Sequence, residues 1–133
     1  MLGLLIADEN MDSRKQMADL FIEAGYNVIV TNSAANAIYG ILKKTAQVIL
    51  ISSQFDELTV TDLIPLLKKC NRDLTIILIS DDVSLALIRK VRKEGIFYHA
   101  LKPVKPEDRE EIRQVVQCAF DNLANQQNPA RCS

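Results

Sequence analysis

In four places along the 133-residue chain a short apolar run delivers a side chain able to do chemistry. Residues 2–7 lead into Asp8 and Glu9, VILIS ends on Ser52, TIILIS ends on Ser80, and residues 97–101 lead to Lys102 and Pro103. Adjacent carboxylates suit a hard divalent cation, because Mg²⁺ takes one or two carboxylates and keeps several of its waters. The same pair also reads as a helix cap or a solvated turn. A lysine at a neighbouring run end can neutralise an anion held there, or simply pair with Asp8 or Glu9. The two serines are neutral hydroxyls, and a serine attacks an electrophile only when a general base removes its proton. The Lys102–Pro103 bond is a candidate cis peptide. His99 is the only histidine, so a cluster of imidazole ligands is excluded.

These side chains can cooperate only if the apolar runs lie side by side. Residues 2–7, 27–31, 48–52, 75–80 and 97–101 read as five strands. The third and fourth are continuously apolar, as central parallel strands covered on both faces must be. Between the runs, Met17, Leu20, Phe21 and Ala24, then Ala34, Ala37, Ile38, Ile41 and Leu42, recur at helical spacing. A third helix surrounds Leu63, Ile64 and Leu67, with Pro65 expected in its first turn behind a Thr61 or Asp62 cap. A fourth spans about 83–94, capped by Asp81 or Asp82 and stopped by Gly95. Pro106 opens the fifth, where Glu107 and Asp108 suit the positive end of the helix dipole. Its stripe comprises Ile112, Val115, Val116, Ala119, Phe120 and Leu123. Strict alternation of strand and helix predicts a doubly wound α/β sandwich with right-handed crossovers, spanning residues 1–124. Residues 125–133 read as a polar tail or the start of a linker. In such sheets ligands bind beyond the carboxyl ends of the strands, which is where Asp8, Glu9, Ser52, Ser80 and Lys102 fall.

Composition narrows the possible partners. Sixteen basic against seventeen acidic residues leave a net charge of −1, so neither nucleic acid nor an anionic membrane is favoured by global electrostatics. The apolar start lacks a basic leader region, and no run approaches the ~18 apolar residues of a membrane span. Cys70, Cys118 and Cys132 are odd in number and widely spaced, which reads as reduced thiols and a cytoplasmic location.

Order, spacing and residue type together resemble the receiver domain of bacterial two-component response regulators, the CheY-like family, over about residues 2–123. The motifs are LIADEN with Asp8 and Glu9, TIILIS with Ser80, and Lys102 in KPVKPED. The resemblance implies a flavodoxin-like (βα)5 sandwich with strand order 2-1-3-4-5, a Mg²⁺ site at the acidic pair, and a phosphoryl acceptor closing the third strand. His99 aligns with the family's aromatic switch residue, coupled to the hydroxyl at Ser80. At the acceptor position the chain departs from the pattern. Where the family places an aspartate, QVILIS ends in Ser52, and the Met-Pro and Asp-Gly features of the following loop are replaced by FDELTV. An aspartate is an ionised nucleophile and a metal ligand at neutral pH, whereas Ser52 is neither and has no evident base. Counting Asp8, Glu9 and Lys102, the site's formal charge falls from about −2 to −1, which weakens Mg²⁺ or leaves its site vacant.

The leading expectation is therefore a pseudo-receiver: not an enzyme, but a phosphorylation-independent interaction module. Its partner is a histidine kinase, an output domain or a second copy, met through the fourth helix, fifth strand and fifth helix, with Arg89, Lys93, Tyr98 and Lys105 at the interface. Two alternatives stand beside it: phosphoacceptance at Asp56 or Ser52 with Mg²⁺, and a small anion bound in the less charged cleft by Ser80 and Lys102.

Overall fold

A computed structural model describes residues 3–55, 58–80, 89, 92, 93 and 95–127. Five parallel strands, β1 (Gly3–Ala7), β2 (Asn27–Thr31), β3 (Val48–Ser52), β4 (Thr75–Ser80) and β5 (Tyr98–Leu101), form one sheet in the order 2-1-3-4-5. This is the flavodoxin-like arrangement expected from the sequence. Every residue of β1 and β3 is buried, because both strands lie inside the sheet with helices on either face. The edge strand β2 is mostly exposed or half-buried.

Alternation along the strands sorts the core into two layers. Leu5, Ile49, Ile51, Ile76 and Leu78 face helices α2 (Ala34–Leu42) and α3 (Val60–Cys70). Their neighbours Leu4, Ile6, Leu50, Ile77 and Ile79 face α1 (Met11–Glu23) and the C-terminal helix (Pro106–Gln127). The centres of the marked stripes are buried, Met17 and Phe21 in α1, Ala37 and Ile41 in α2, and Ile112, Val116, Ala119 and Leu123 in the last, whereas Ala24 and Leu42, marked at the ends of the first two stripes, are exposed where the helices run past the sheet. Asn10 caps α1 by accepting from Ser13 N–H at 2.9 Å. Gly95 adopts φ +86°, the left-handed conformation expected of a helix stop.

The structure departs from the sequence reading in several places. Pro65 lies in the sixth position of α3, not in its first turn. An interior proline costs a helix about 3 kcal/mol by losing one hydrogen bond and crowding the preceding turn. Complete burial of Leu63, Ile64 and Leu67 offsets that cost. The stretch after β3 is not a plain loop: Gln54–Phe55 and Leu58–Thr59 pair as a two-stranded antiparallel ribbon, and Phe55 is buried against the α2/α3 layer. The C-terminal helix continues past Leu123 to Gln127, since backbone hydrogen bonding outlasts the apolar stripe. Lys102–Pro103 is trans, no cis bond occurring among the described residues. The expected fourth helix falls largely outside those residues.

Candidate functional site

The carboxyl ends of β1, β3 and β5 bring Asp8, Ser52 and Lys102 around one pocket, whose walls also include Ser13, Gln16 and Pro103. Its volume is about 30 Å³. A single water needs roughly 10–15 Å³ measured this way, so the pocket suits waters or a small ion rather than a metabolite.

Asp8 is only 7% exposed and is held from several directions. Its backbone N–H donates to Thr31 C=O at 3.2 Å, continuing the β1–β2 pairing past the strand end. Its Oδ1 accepts from Asn10 N–H at 2.9 Å, and its carbonyl accepts from Arg14 Nη1 at 2.8 Å. Its Oδ2 faces Lys102 Nζ at 3.8 Å. At that distance the gross attraction is about 4 kcal/mol for an effective dielectric near 20, much of it offset by desolvation. Lys102 is aimed by its backbone, whose N–H donates to Ser80 C=O at 2.9 Å. The trans proline that follows restricts Lys102 to extended conformations.

Glu9, expected beside Asp8, is exposed and does not line the pocket. Ser52 is 3% exposed at the acceptor position. Receiver domains commonly bind Mg²⁺ at this site, and the described residues by themselves supply few of the anionic oxygens it takes. Among the described residues Asp8 is the only carboxylate lining the pocket, an ammonium faces it, and no group of three acidic, histidine or cysteine side chains could hold a metal.

Ser80 does not join the pocket. It is 1% exposed, and its Oγ lies 2.6 Å from His99 Nε2 across the β4–β5 pairing. The hydroxyl and the imidazole are thus in direct contact. Burial, and then the nearby Arg92 guanidinium, push His99 below its ordinary value of 6.5, which favours the neutral ring.

On the outer side of β5, Tyr98 is exposed and its hydroxyl donates to Glu111 Oε1 at 2.8 Å, clipping the strand to the C-terminal helix. That hydrogen bond, followed by burial and the Glu111 charge, raises the phenol's pKa above 10.0. Asp108 Oδ2 accepts from Val104 and Lys105 N–H at 3.1 and 3.0 Å, a reach-back cap that holds its carboxyl below the ordinary range. Arg89, Arg92, Lys93 and Lys105 are all exposed. Asp56 lies outside the described residues. The sequence reading missed Ser13 and Gln16 as pocket residues, although their three-residue spacing on the helix after Asp8 would place both on one face.

A five-stranded parallel sandwich with an acid, a lysine and a buried hydroxyl at its strand ends defines a response-regulator type of domain. The sequence profile of the response regulator receiver domain matches residues 4–117, and the chain belongs to that family. Among solved structures, a CheY-like receiver domain protein from Methanospirillum hungatei JF-1 is 19% identical, with TM-score 0.78, over 92% of this chain and 99% of that one. The beryllofluoride-activated NtrC4 receiver domain dimer is 20% identical, with TM-score 0.80, over 92% of this chain and 98% of that one. NtrX from Brucella abortus, in complex with ADP, is 17% identical with TM-score 0.84, and there the match covers all of this chain but 30% of the other. No curated protein matches in sequence. Receiver domains are in general non-catalytic modules of two-component signalling that contact kinases and output domains. Among the described residues no helix is long and apolar enough to cross a membrane.

Proposed function

We propose that this chain is a pseudo-receiver: a receiver domain that signals through protein contacts without accepting a phosphoryl group. The observation that carries the reading is Ser52, a buried neutral hydroxyl standing where the family's nucleophilic aspartate belongs. Among the described residues lining its pocket the one carboxylate, Asp8, is engaged by Lys102 and by Asn10 N–H and is a poor general base for that hydroxyl. Meanwhile Ser80 and His99 remain in contact at 2.6 Å, so the conformational pair persists without its chemical trigger.

The partner in this reading is a histidine kinase, an output domain or a second copy, met through the face built on β5 and the C-terminal helix. The exposed cations Arg89, Arg92 and Lys93 and the exposed acids Glu107, Glu110 and Glu111 offer opposite charges for such a contact. Neither nucleic acid nor membrane is a partner in this reading. Widely spaced cysteines, of which Cys70 and Cys118 are unpaired, support a reducing bacterial cytoplasm.

Intact-mass measurement after acetyl phosphate treatment with Mg²⁺ tests the proposal. The wild-type protein is expected to stay unmodified while Ser52→Asp gains one phosphoryl group. A labelled wild type, with the modification mapped to Asp56 or Ser52, would show an active receiver instead.

A further inference from the structure

We propose that the outer groove between α2 and α3 is a docking surface for an acidic amphipathic helix of a partner protein. It lies on the opposite face of the sheet from the C-terminal helix and shares no residue with the strand-end pocket, so it goes beyond the pseudo-receiver reading. Two helices laid side by side on a sheet bury one stripe each and leave a trough between their facing flanks. In α2, Ala37 and Ile41 enter the core and Ile38 packs half-buried against it, while Leu42, one turn on from Ile38, is 57% exposed. In α3, Leu63, Ile64 and Leu67 are buried and Cys70 packs half-buried against the same layer, while Leu66, one turn before Cys70, is 50% exposed. Lys68 marks the flank of α3 turned toward the β5 end of the sheet. Its Cε lies 3.8 Å from where a Cβ on Gly95 would stand, and its Nζ donates to Leu74 C=O at 2.8 Å. Leu66, two residues earlier and so about 200° around the helix, lies on the other flank, toward α2. The right-handed β2–α2–β3 crossover likewise turns Ile38 and Leu42 toward α3. Tyr39, on the outer surface of α2, is 63% exposed, more than any other aromatic side chain among the described residues.

Cations rim this groove. Lys43 Nζ lies 5.5 Å from the Tyr39 ring centroid in a cation–π contact, and Lys44, Lys69 and Arg72 are exposed around the carboxyl ends of the two helices. Of the acids nearby, Asp62 lies at the far end, in the first turn of α3, and Asp73 interacts electrostatically with Lys68 on the opposite flank. The chain as a whole carries a net charge of −1, so this positive rim is local. A trough with apolar walls and a cationic end selects among partners. A helix fills it with side chains three and four residues apart, and acids beside that stripe meet the lysines. A second copy offering the same surface would set lysine against lysine. An extended polyanion such as nucleic acid would neutralise the lysines but leave Tyr39, Leu42 and Leu66 in water.

The probe is a synthetic peptide of about 16 residues, with leucines at three-and-four spacing and glutamates beside them, titrated into the full chain and followed by amide NMR. A second peptide carries lysine for each glutamate, and phosphatidylglycerol vesicles are run in parallel. The acidic peptide should shift α2 and α3 amides saturably, centred on Tyr39, Leu42 and Leu66, with affinity falling as NaCl rises. Lys43→Glu combined with Lys69→Glu should weaken it at least about tenfold and bring the lysine peptide into the same groove. Leu66→Gln should weaken both pairings. Should a variant lose the wild-type amide pattern, the shift map and salt dependence of the wild-type protein decide alone. Shifts centred on β5 and the C-terminal helix, equal binding of the two peptides by wild type, or vesicle binding through α2 and α3 without peptide binding overturns the proposal, the last pointing to a membrane surface. No phosphodonor enters the experiment, so a wild type labelled by acetyl phosphate would remove the pseudo-receiver reading and leave this groove standing.

Discussion

The end of β3 and the paired ends of β4 and β5 are neighbours in one sheet, yet they have been treated differently. β3 ends on the buried Ser52, and the stretch beyond it is an antiparallel ribbon anchored by Phe55 in the core. At β4 and β5 the family's pattern persists: Ser80 meets His99, and Lys102 reaches Asp8. In the pseudo-receiver reading, the difference teaches that a strand end can lose its chemistry while the sheet beside it keeps its geometry. Geometry comes from many buried apolar residues acting together, whereas reactivity rests on one side chain.

The largest expected effect tests the rebuilt side of that comparison. Phe55→Ala should cost about 3–5 kcal/mol, the range for truncating a buried aromatic side chain, as measured by urea unfolding. A loss below ~1 kcal/mol would show that the ribbon is not anchored where the core contact indicates.

Next comes the acceptor itself. Ser52→Asp places a carboxylate at a buried position beside Asp8, and should destabilise the metal-free protein by roughly 1–3 kcal/mol. Added Mg²⁺ should recover most of that loss in the variant. A neutral effect in metal-free buffer would mean that the pocket tolerates charge more readily than the burial of Ser52 implies.

On the retained side, Ser80→Ala deletes one short hydrogen bond and should cost about 1 kcal/mol, half-buried His99 being able to turn to water. Its clearer signature is a change in the His99 ring signals. Ring shifts identical to wild type would mean that the two residues do not communicate.

The smallest effect is in pH dependence. His99 titrates below 6.5 in the folded protein because burial and Arg92 disfavour the imidazolium, while the unfolded chain titrates near 6.5. The folded state therefore binds fewer protons, and the stability that His99 contributes is intact above 6.5 and falls as pH drops through the folded value. His99→Phe should flatten this part of the stability profile. A slope of opposite sign in wild type would contradict the burial argument.

Much of the fold was legible in the sequence because parallel strands buried on both faces leave continuous apolar runs such as VILIS and TIILIS. Most of the marked helix stripes were legible because a helix packed on the sheet by one face repeats its apolar residues at three-and-four spacing, although Ala24 and Leu42 at their ends are exposed. Less was legible where the signal was short or local propensity was overridden. Two-residue strands such as Gln54–Phe55 and Leu58–Thr59 leave no periodicity to detect, and Phe55 gave no hint that it would be buried. Pro65 inside α3 shows burial of Leu63, Ile64 and Leu67 outweighing a helix-breaking residue, a balance not readable from propensity. The candidate site was read in its members more than in its groupings. Asp8, Ser52 and Lys102 came together, but Glu9 lies exposed outside the pocket while Ser80 turned to His99. Residue type and strand-end position were visible in the chain; side-chain direction after each strand depends on local turns such as the Asn10 N–H to Asp8 Oδ1 hydrogen bond.

The central claim, a retained switch behind a lost trigger, is tested most directly by amide and histidine-ring NMR of wild type and Ser52→Asp, titrated with beryllofluoride in the presence of Mg²⁺. The account predicts that only Ser52→Asp responds, with shifts at Ser80 and His99 as the restored carboxylate holds the phosphoryl mimic. A wild-type protein that responds at Ser80 and His99, or a Ser52→Asp protein that binds the mimic while both residues stay unmoved, would contradict it.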